Sequence, residues 1–164
     1  MLPLNADALK KHLVSKEFEP QYQPETQQVY VIFKVANREF PLFFRIYEGG
    51  DLLQALSFIP CMLKPTAIND LARLLHMLNK ELDIPGFGVD EAAGVIFYRI
   101  MLPATNKEIN IEILDNYINS IQNIIQTFAP VIATVAAGMS TFQEVLKKVK
   151  EGEQQQQQQQ NPKK

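Results

Sequence analysis

The amino-acid sequence predicts an α+β fold: an antiparallel five-stranded sheet packed with helices, in the order α-βββ-α-ββ-α. Three observations point to it. Apolar residues alternate with others through two runs between residues 29 and 47, broken by turn-forming residues. A leucine stripe at spacings of three and four follows, from Leu71 to Leu82, and a heptad-like apolar seam runs from Ile111 to Leu146. Period two is the signature of a pleated strand and a period near 3.6 that of a helix.

The first helix is expected to start at Asn5, whose side-chain oxygen can accept a hydrogen bond from a free N–H of the first turn. Leu4 and Leu9 then form a hydrophobic staple around the cap. The segment from Glu17 to Gln28, with Pro20, Pro24 and several Gln, reads as an extended, loop-like connection. Val29, Val31, Phe33 and Val35 form one side of the first strand. Asn37-Arg38 is the expected turn, because Asn tolerates the positive φ of a tight hairpin. Phe40, Leu42, Phe44 and Ile46 alternate along the second strand, Gly49-Gly50-Asp51 turns the chain again, and Leu52 to Ile59 is the third strand.

Thr66 is the expected cap of a second helix carrying Leu71, Leu74, Leu75, Leu78 and Leu82 on one face, and Pro85-Gly86 stops it. Phe87 to Asp90 and Gly94 to Leu102 are the fourth and fifth strands. The final seam, Leu114, Ile118, Ile121, Ile125, Phe128, Ile132, Val135, Met139, Phe142 and Leu146, describes a long helix. Pro130 should kink or break it, since an interior proline removes one hydrogen bond and crowds the preceding turn. Gly138, beside Ala136 and Ala137, is a second weak point or else a place of close helix approach, since small residues let backbones come near. Residues 1–150 therefore make one domain. Residues 151–164, with seven consecutive Gln, are too polar to offset the entropy of ordering and are expected to be a disordered tail.

Composition narrows the function. A formal net charge of −2 gives no basic stripe for nucleic acid and no polybasic anchor for a membrane surface. Cys61 is the only cysteine, so an internal disulfide is ruled out and a reducing compartment fits. The first residues lack a secretory pattern, and no run of about 18 apolar residues suggests a span. The cytoplasm is the expected location.

No chemistry-bearing constellation emerges. His12 and His76 read as ordinary surface or boundary histidines, and Cys61 has no basic neighbour in sequence to activate it. No Cys-x-x-Cys, His-x-x-x-His or EF-hand spacing is present, and neither glycine pair opens a helix as a phosphate loop must. Asp83, Asp90 and Glu91 are best explained as solvated loop residues. The sequence thus predicts no catalytic residue, no cofactor and no metal, and an enzyme using Cys61 or His76 is the remotest alternative.

The unusual feature is that both faces of the strands are apolar. Tyr30, Ile32, Phe43, Tyr47, Val95, Phe97 and Met101 fall opposite the most regular apolar sets, where a solvated sheet face would carry polar residues. Either helices cover both faces, with Ile132, Val135 and Met139 as the candidate cover, or these seven residues hold a partner.

The helix Asn69-Asp70-Leu71-Ala72-Arg73-Leu74-Leu75-His76-Met77-Leu78-Asn79-Lys80, its exit Pro85-Gly86-Phe87-Gly88-Val89-Asp90, and the strand Gly94-Val95-Ile96-Phe97-Tyr98-Arg99-Ile100-Met101-Leu102-Pro103 resemble the bacterial YbjN family. That family is often labelled sensory transduction regulators and has a type III secretion chaperone-like fold. The resemblance covers about residues 28–140 and carries no catalytic or cofactor-binding residue. It implies a non-enzymatic protein-binding module, a regulator or adaptor that holds a protein partner or client peptide on an apolar surface, with a homodimer as a further expectation. A dedicated secretion chaperone for an effector and a structural protein dimerising through its last helix are the alternatives. The long, proline-interrupted last helix, the Gln-rich tail and the mild net charge depart from the secretion chaperones and favour the adaptor.

Overall fold

A computed structural model describes residues 1–160 of the chain. Helix α1 (Ala6–Ser15) starts as its cap demands, with the Ala8 N–H donating to Asn5 Oδ1 at 2.9 Å. A six-stranded antiparallel sheet follows, ordered β2-β3-β4-β5-β7-β6. Its strands are β2 (Gln21–Gln23), β3 (Gln28–Val35), β4 (Arg38–Ile46), β5 (Leu52–Ile59), β6 (Phe87–Asp90) and β7 (Val95–Pro103). Helix α2 (Ile68–Glu81) separates β5 from β6, while α3 (Ile111–Ala136) and α4 (Phe142–Gln160) end the described chain. A second, two-stranded sheet pairs β1 (Leu2–Pro3) with β8 (Glu108–Ile109), tying the N-terminus to the entry of α3.

The expected five strands are therefore six in the main sheet. The extra strand, β2, lies in the segment that reads as a loop. Three polar-flanked residues carry no periodicity, and pairing with Gln28–Tyr30 alone makes them a strand. The first hairpin also turns one residue early. Ala36 and Asn37 take the two positive-φ positions, and Arg38 is paired with Val35. The alternation of Phe33 against Phe40 sets that register, and a two-residue loop with both φ positive is the form whose twist suits a hairpin. Pro41 is tolerated in β4 because it faces Ile32 on one side while pairing with β5 begins only at Leu42, so no ladder to β5 needs its missing N–H.

Thr66 does not cap α2. A 3₁₀ turn at Pro65–Ala67 leads into the helix, and its cap residue, Ala67, makes no side-chain bond. Pro130 does not break α3, which runs through it. Pro130 is exposed, as is Gln126, so solvent can satisfy the Gln126 carbonyl that loses its donor. The break comes instead at Gly138, with φ +66°. The Gly138 N–H donates to the Val135 carbonyl and the Met139 N–H to the Thr134 carbonyl, a Schellman ending. Met139 is consequently 76% exposed and off the seam. Phe142 and Leu146 belong to α4, whose start is held by a reciprocal Thr141–Glu144 capping box and by the Phe142 N–H donating to Asp70 of α2. Helix α4 continues through the Gln run to Gln160, because extending a nucleated helix through Gln is inexpensive, where composition suggests disorder. Residues 161–164 of the expected tail lie outside the described residues.

The core lies on one side of the sheet. Val29, Val31, Phe33, Phe40, Leu42, Phe44, Leu53, Ala55, Ile96, Tyr98 and Ile100 pack with Leu9 and Leu13 of α1, the leucines of α2 and Leu114, Ile118, Ile121, Ile125, Ile132 and Val135 of α3. Ile132 and Val135 thus bury against the inward set and do not cover the opposite face.

His12 is not the surface or boundary histidine expected. It is buried, and its Nε2 lies 2.6 Å from Asp115 Oδ1 on α3, whose other oxygen accepts from Lys16 Nζ at 2.6 Å. Burial pushes the Asp115 carboxyl up, but the hydrogen bonds and positive charges of Lys16 and His12 outweigh it and hold the group below its usual value. A depressed carboxyl contributes stability above its ordinary value, and that contribution is lost as pH falls through the folded value. Asp115→Asn should therefore lower the melting temperature at neutral pH, and its difference from the wild type should shrink below about pH 4. A difference that stays constant from neutral to strongly acidic pH would show that the charge of Asp115 does not stabilise the fold.

Candidate functional site

Strand pairing decides which side chains share the side of the sheet opposite the helices. Tyr30 lies opposite Phe43, Phe43 opposite Leu56, and Leu56 opposite Arg99, one row across four strands. The next rows place Ile32 opposite Pro41, Phe58 opposite Phe97, and Phe97 opposite Gly88. On the other side of the first row, Gln28, Arg45, Gln54 and Met101 align. All seven residues singled out from the alternation belong to this face. None joins the core cluster.

The seven are not equally central. Tyr30 and Phe43 touch, with ring centroids 5.3 Å apart, and Ile32 and Phe97 lie in the neighbouring row. Val95 is at one end of the sheet, opposite Asp90. Tyr47 and Met101 are toward the other, where the Tyr47 hydroxyl donates to Gln54 Oε1 at 3.2 Å. Ile32 is 48% and Met101 40% exposed, while Tyr30, Phe43 and Phe97 are half-buried.

Sequence reasoning missed Leu56 and Phe58 of β5, which join the two halves of the patch. Phe58 meets Phe43 edge-on at 5.7 Å. Both faces of Leu52–Ile59 are largely apolar, so its alternation is too weak to assign a face. Spacing from the paired strand Gly94–Leu102 would have been the available signal.

Polar groups frame this apolar centre. Arg45 stacks over Tyr47 at 5.0 Å and Arg99 over Phe97 at 5.5 Å. Neither arginine has a carboxylate partner among the described residues, whereas Lys34 and Glu39 on the same face pair at 3.4 Å. Stacked guanidinium groups keep their charge and most of their donors available.

The β6 edge is shaped by two glycines. Phe97 lies across Gly88, where an added Cβ would come within 2.6 Å of the ring. At Gly86 an added Cβ would meet the Arg99 carbonyl at 2.5 Å. Asn79 of α2 secures this turn: its Oδ1 accepts from the Gly86 and Phe87 N–H groups and its Nδ2 donates to the Phe87 carbonyl. Beneath it the Tyr98 hydroxyl donates to the Ile84 carbonyl at 2.6 Å, and burial pushes its pKa up to about 12, with Tyr117 nearby adding to the shift.

Groups that could do covalent chemistry are scattered. Cys61 is half-buried after β5, and burial disfavours the thiolate and pushes the thiol up, which the positive charge of Arg38 only partly offsets. His76 is exposed on α2. Among the described residues no group of three His, Cys, Asp or Glu is placed to hold a metal ion, and no helix is long and apolar enough to cross a membrane.

The crystal structure of YbjN from E. coli is similar to this chain, with a TM-score of 0.59 at 12% identity over 85% of this chain and 96% of that one. At that identity the likeness establishes a shared fold. A chain of the HopA1-SchA chaperone-effector complex has a TM-score of 0.46 at 13% identity, over 74% of this chain and 90% of its own. Among curated proteins, none matches the sequence significantly. The profile of the YbjN family, described as "Putative bacterial sensory transduction regulator", matches residues 5–134, which is most of the chain, and the protein therefore belongs to the YbjN family.

Proposed function

We propose that this YbjN-family protein is a non-enzymatic adaptor or regulator that holds a protein partner on the open face of its sheet. One observation carries the reading: a contiguous apolar row, Tyr30, Phe43 and Leu56 with Ile32, Phe58 and Phe97 beside it, lies on the side of the sheet away from the core. Covering such surface gains roughly 25 cal/mol per Å² of apolar area, so a face left open this way favours association. The unpaired Arg45 and Arg99 at its margins fit a partner whose apolar segment is flanked by acidic residues.

The test uses Ile32→Asp and Phe43→Asp with wild type in parallel. Both variants should keep a cooperative melt, since an aspartate at Ile32 or Phe43 still reaches water. Each should lose the proteins that wild type captures from an extract of its host, identified by mass spectrometry. Equal capture by folded variants would sink the reading. A dedicated secretion chaperone would use the same face, and the nature of the lost protein, an effector or a regulatory component, separates the two. Light scattering adds the remaining case, a second copy as the partner, in which the variants alone change mass.

A further inference from the structure

On the helix side of the sheet, where α3 passes the β3–β4 hairpin, the structure leaves a groove of about 780 Å³. One wall is a ridge of α3 at four-residue spacing, Ile125, Ala129, Ala133 and Ala137. Residues at i and i+4 share a helix face, and three alanines in succession leave unfilled the space that larger side chains would occupy. The opposite wall is Phe40 and Cys61. Its volume lies within the range of small-molecule sites, and its lining is mostly apolar with a few polar groups.

Charge distinguishes one end of it. Arg38 is the only charged residue lining the groove, and no carboxylate faces it there. Strand alternation puts Arg38 on the same side of β4 as Phe40 and Leu42, the side turned toward the helices. Its guanidinium makes no ion pair with another described residue, although Lys34 and Glu39 on the other side of the same hairpin pair with each other. At the rim, Met62 and Met139 are 73% and 76% exposed. Methionine is flexible and polarizable enough to close over an apolar ligand of variable shape.

We infer that this groove binds a long-chain carboxylic acid, with the alkyl chain along the alanine wall and the carboxylate on Arg38. A single cation beside an otherwise apolar trough complements an amphiphile with one anionic head. An extended peptide would instead bring a backbone donor and acceptor at every residue to walls whose polar side chains, apart from Arg38 and the Cys61 thiol, are Gln126 and Thr134, and the Thr134 hydroxyl already donates to the Pro130 carbonyl at 2.9 Å. The site is on the other side of the sheet from the proposed protein-docking face and does not depend on it.

Titration calorimetry of the full chain with palmitate, and with hexadecanol as the uncharged control, tests the assignment. Palmitate should bind saturably, one per chain. Arg38→Gln should weaken palmitate by about 10–100-fold, the value of a charge-assisted hydrogen bond, with little effect on hexadecanol. Ala133→Trp should abolish binding of both, and its melt shows whether the fold survives. If it does not, the contrast between acid and alcohol in Arg38→Gln, an exposed position, decides alone. Failure of palmitate to bind, or Arg38→Gln weakening both ligands equally or neither, overturns the proposal. So does a wild-type dimer that Ala133→Trp converts to a monomer, which would make a second copy the occupant.

Discussion

Leu74→Ala is expected to lower stability by about 2–5 kcal/mol, the range for a leucine truncated in a packed interior. Leu74 has no exposed surface and belongs to the stripe by which α2 joins the core. The loss has two parts. The removed methyl and methylene groups give up their transfer free energy, and the cavity left behind closes only partly. Leu71 and Leu78 flank the position on the same face, and the strands behind it are held in register by long ladders, so little can move in to fill the space. For a chain of this size the melting temperature should fall by roughly 4–20 °C. A loss below about 1 kcal/mol would mean that α2 is not packed as the structure places it.

Asn79→Ala should cost nearly as much, at about 2–4 kcal/mol, from three hydrogen bonds of roughly 1 kcal/mol each plus incomplete rehydration of the freed groups. The Asn79 side chain stands in for a neighbouring strand, accepting from the Gly86 and Phe87 N–H groups and donating to the Phe87 carbonyl. Without it, the start of β6 keeps only its bonds to β7. Amide exchange should therefore accelerate at Phe87 and its neighbours more than in β3 or β4, since local opening needs less free energy than global unfolding. Exchange that rises equally throughout the sheet would show that Asn79 supports the whole fold and not this turn.

The two faces of the sheet are similarly apolar in sequence yet differ in burial, because the helices pack on one and leave the other open. Period-two alternation assigns Tyr30, Ile32 and Phe43 to one side because each successive side chain must point the opposite way. That inference is local and survives errors elsewhere. It fails for β5, whose run Leu52–Ile59 is apolar on both sides, and so Leu56 and Phe58 emerge only through their partners on β4 and β7.

The groove beside Arg38 was not legible at all. Its alanines at 129, 133 and 137 are ordinary helix formers in sequence, and Arg38 reads as a turn residue. They form a site only because the hairpin turns at Ala36–Asn37 and draws Arg38 into β4, facing α3.

Most of the elements, and the face each side chain takes within them, followed from the chain's local pattern. The Asn5 cap, the leucine stripe of α2 and the alternation of β3, β4 and β7 depend on contacts a few residues apart, where backbone geometry leaves few choices. Three outcomes needed the folded chain: Gln21–Gln23 becomes a strand, α3 runs through Pro130, and the helical seams of α2 and α3 pack on one side of the sheet. Those outcomes depend on partners distant in sequence: a strand edge is available or not, and a helix is free to lie on either apolar face. Local periodicity is the same in both cases, and burial against a particular neighbour settles which one forms.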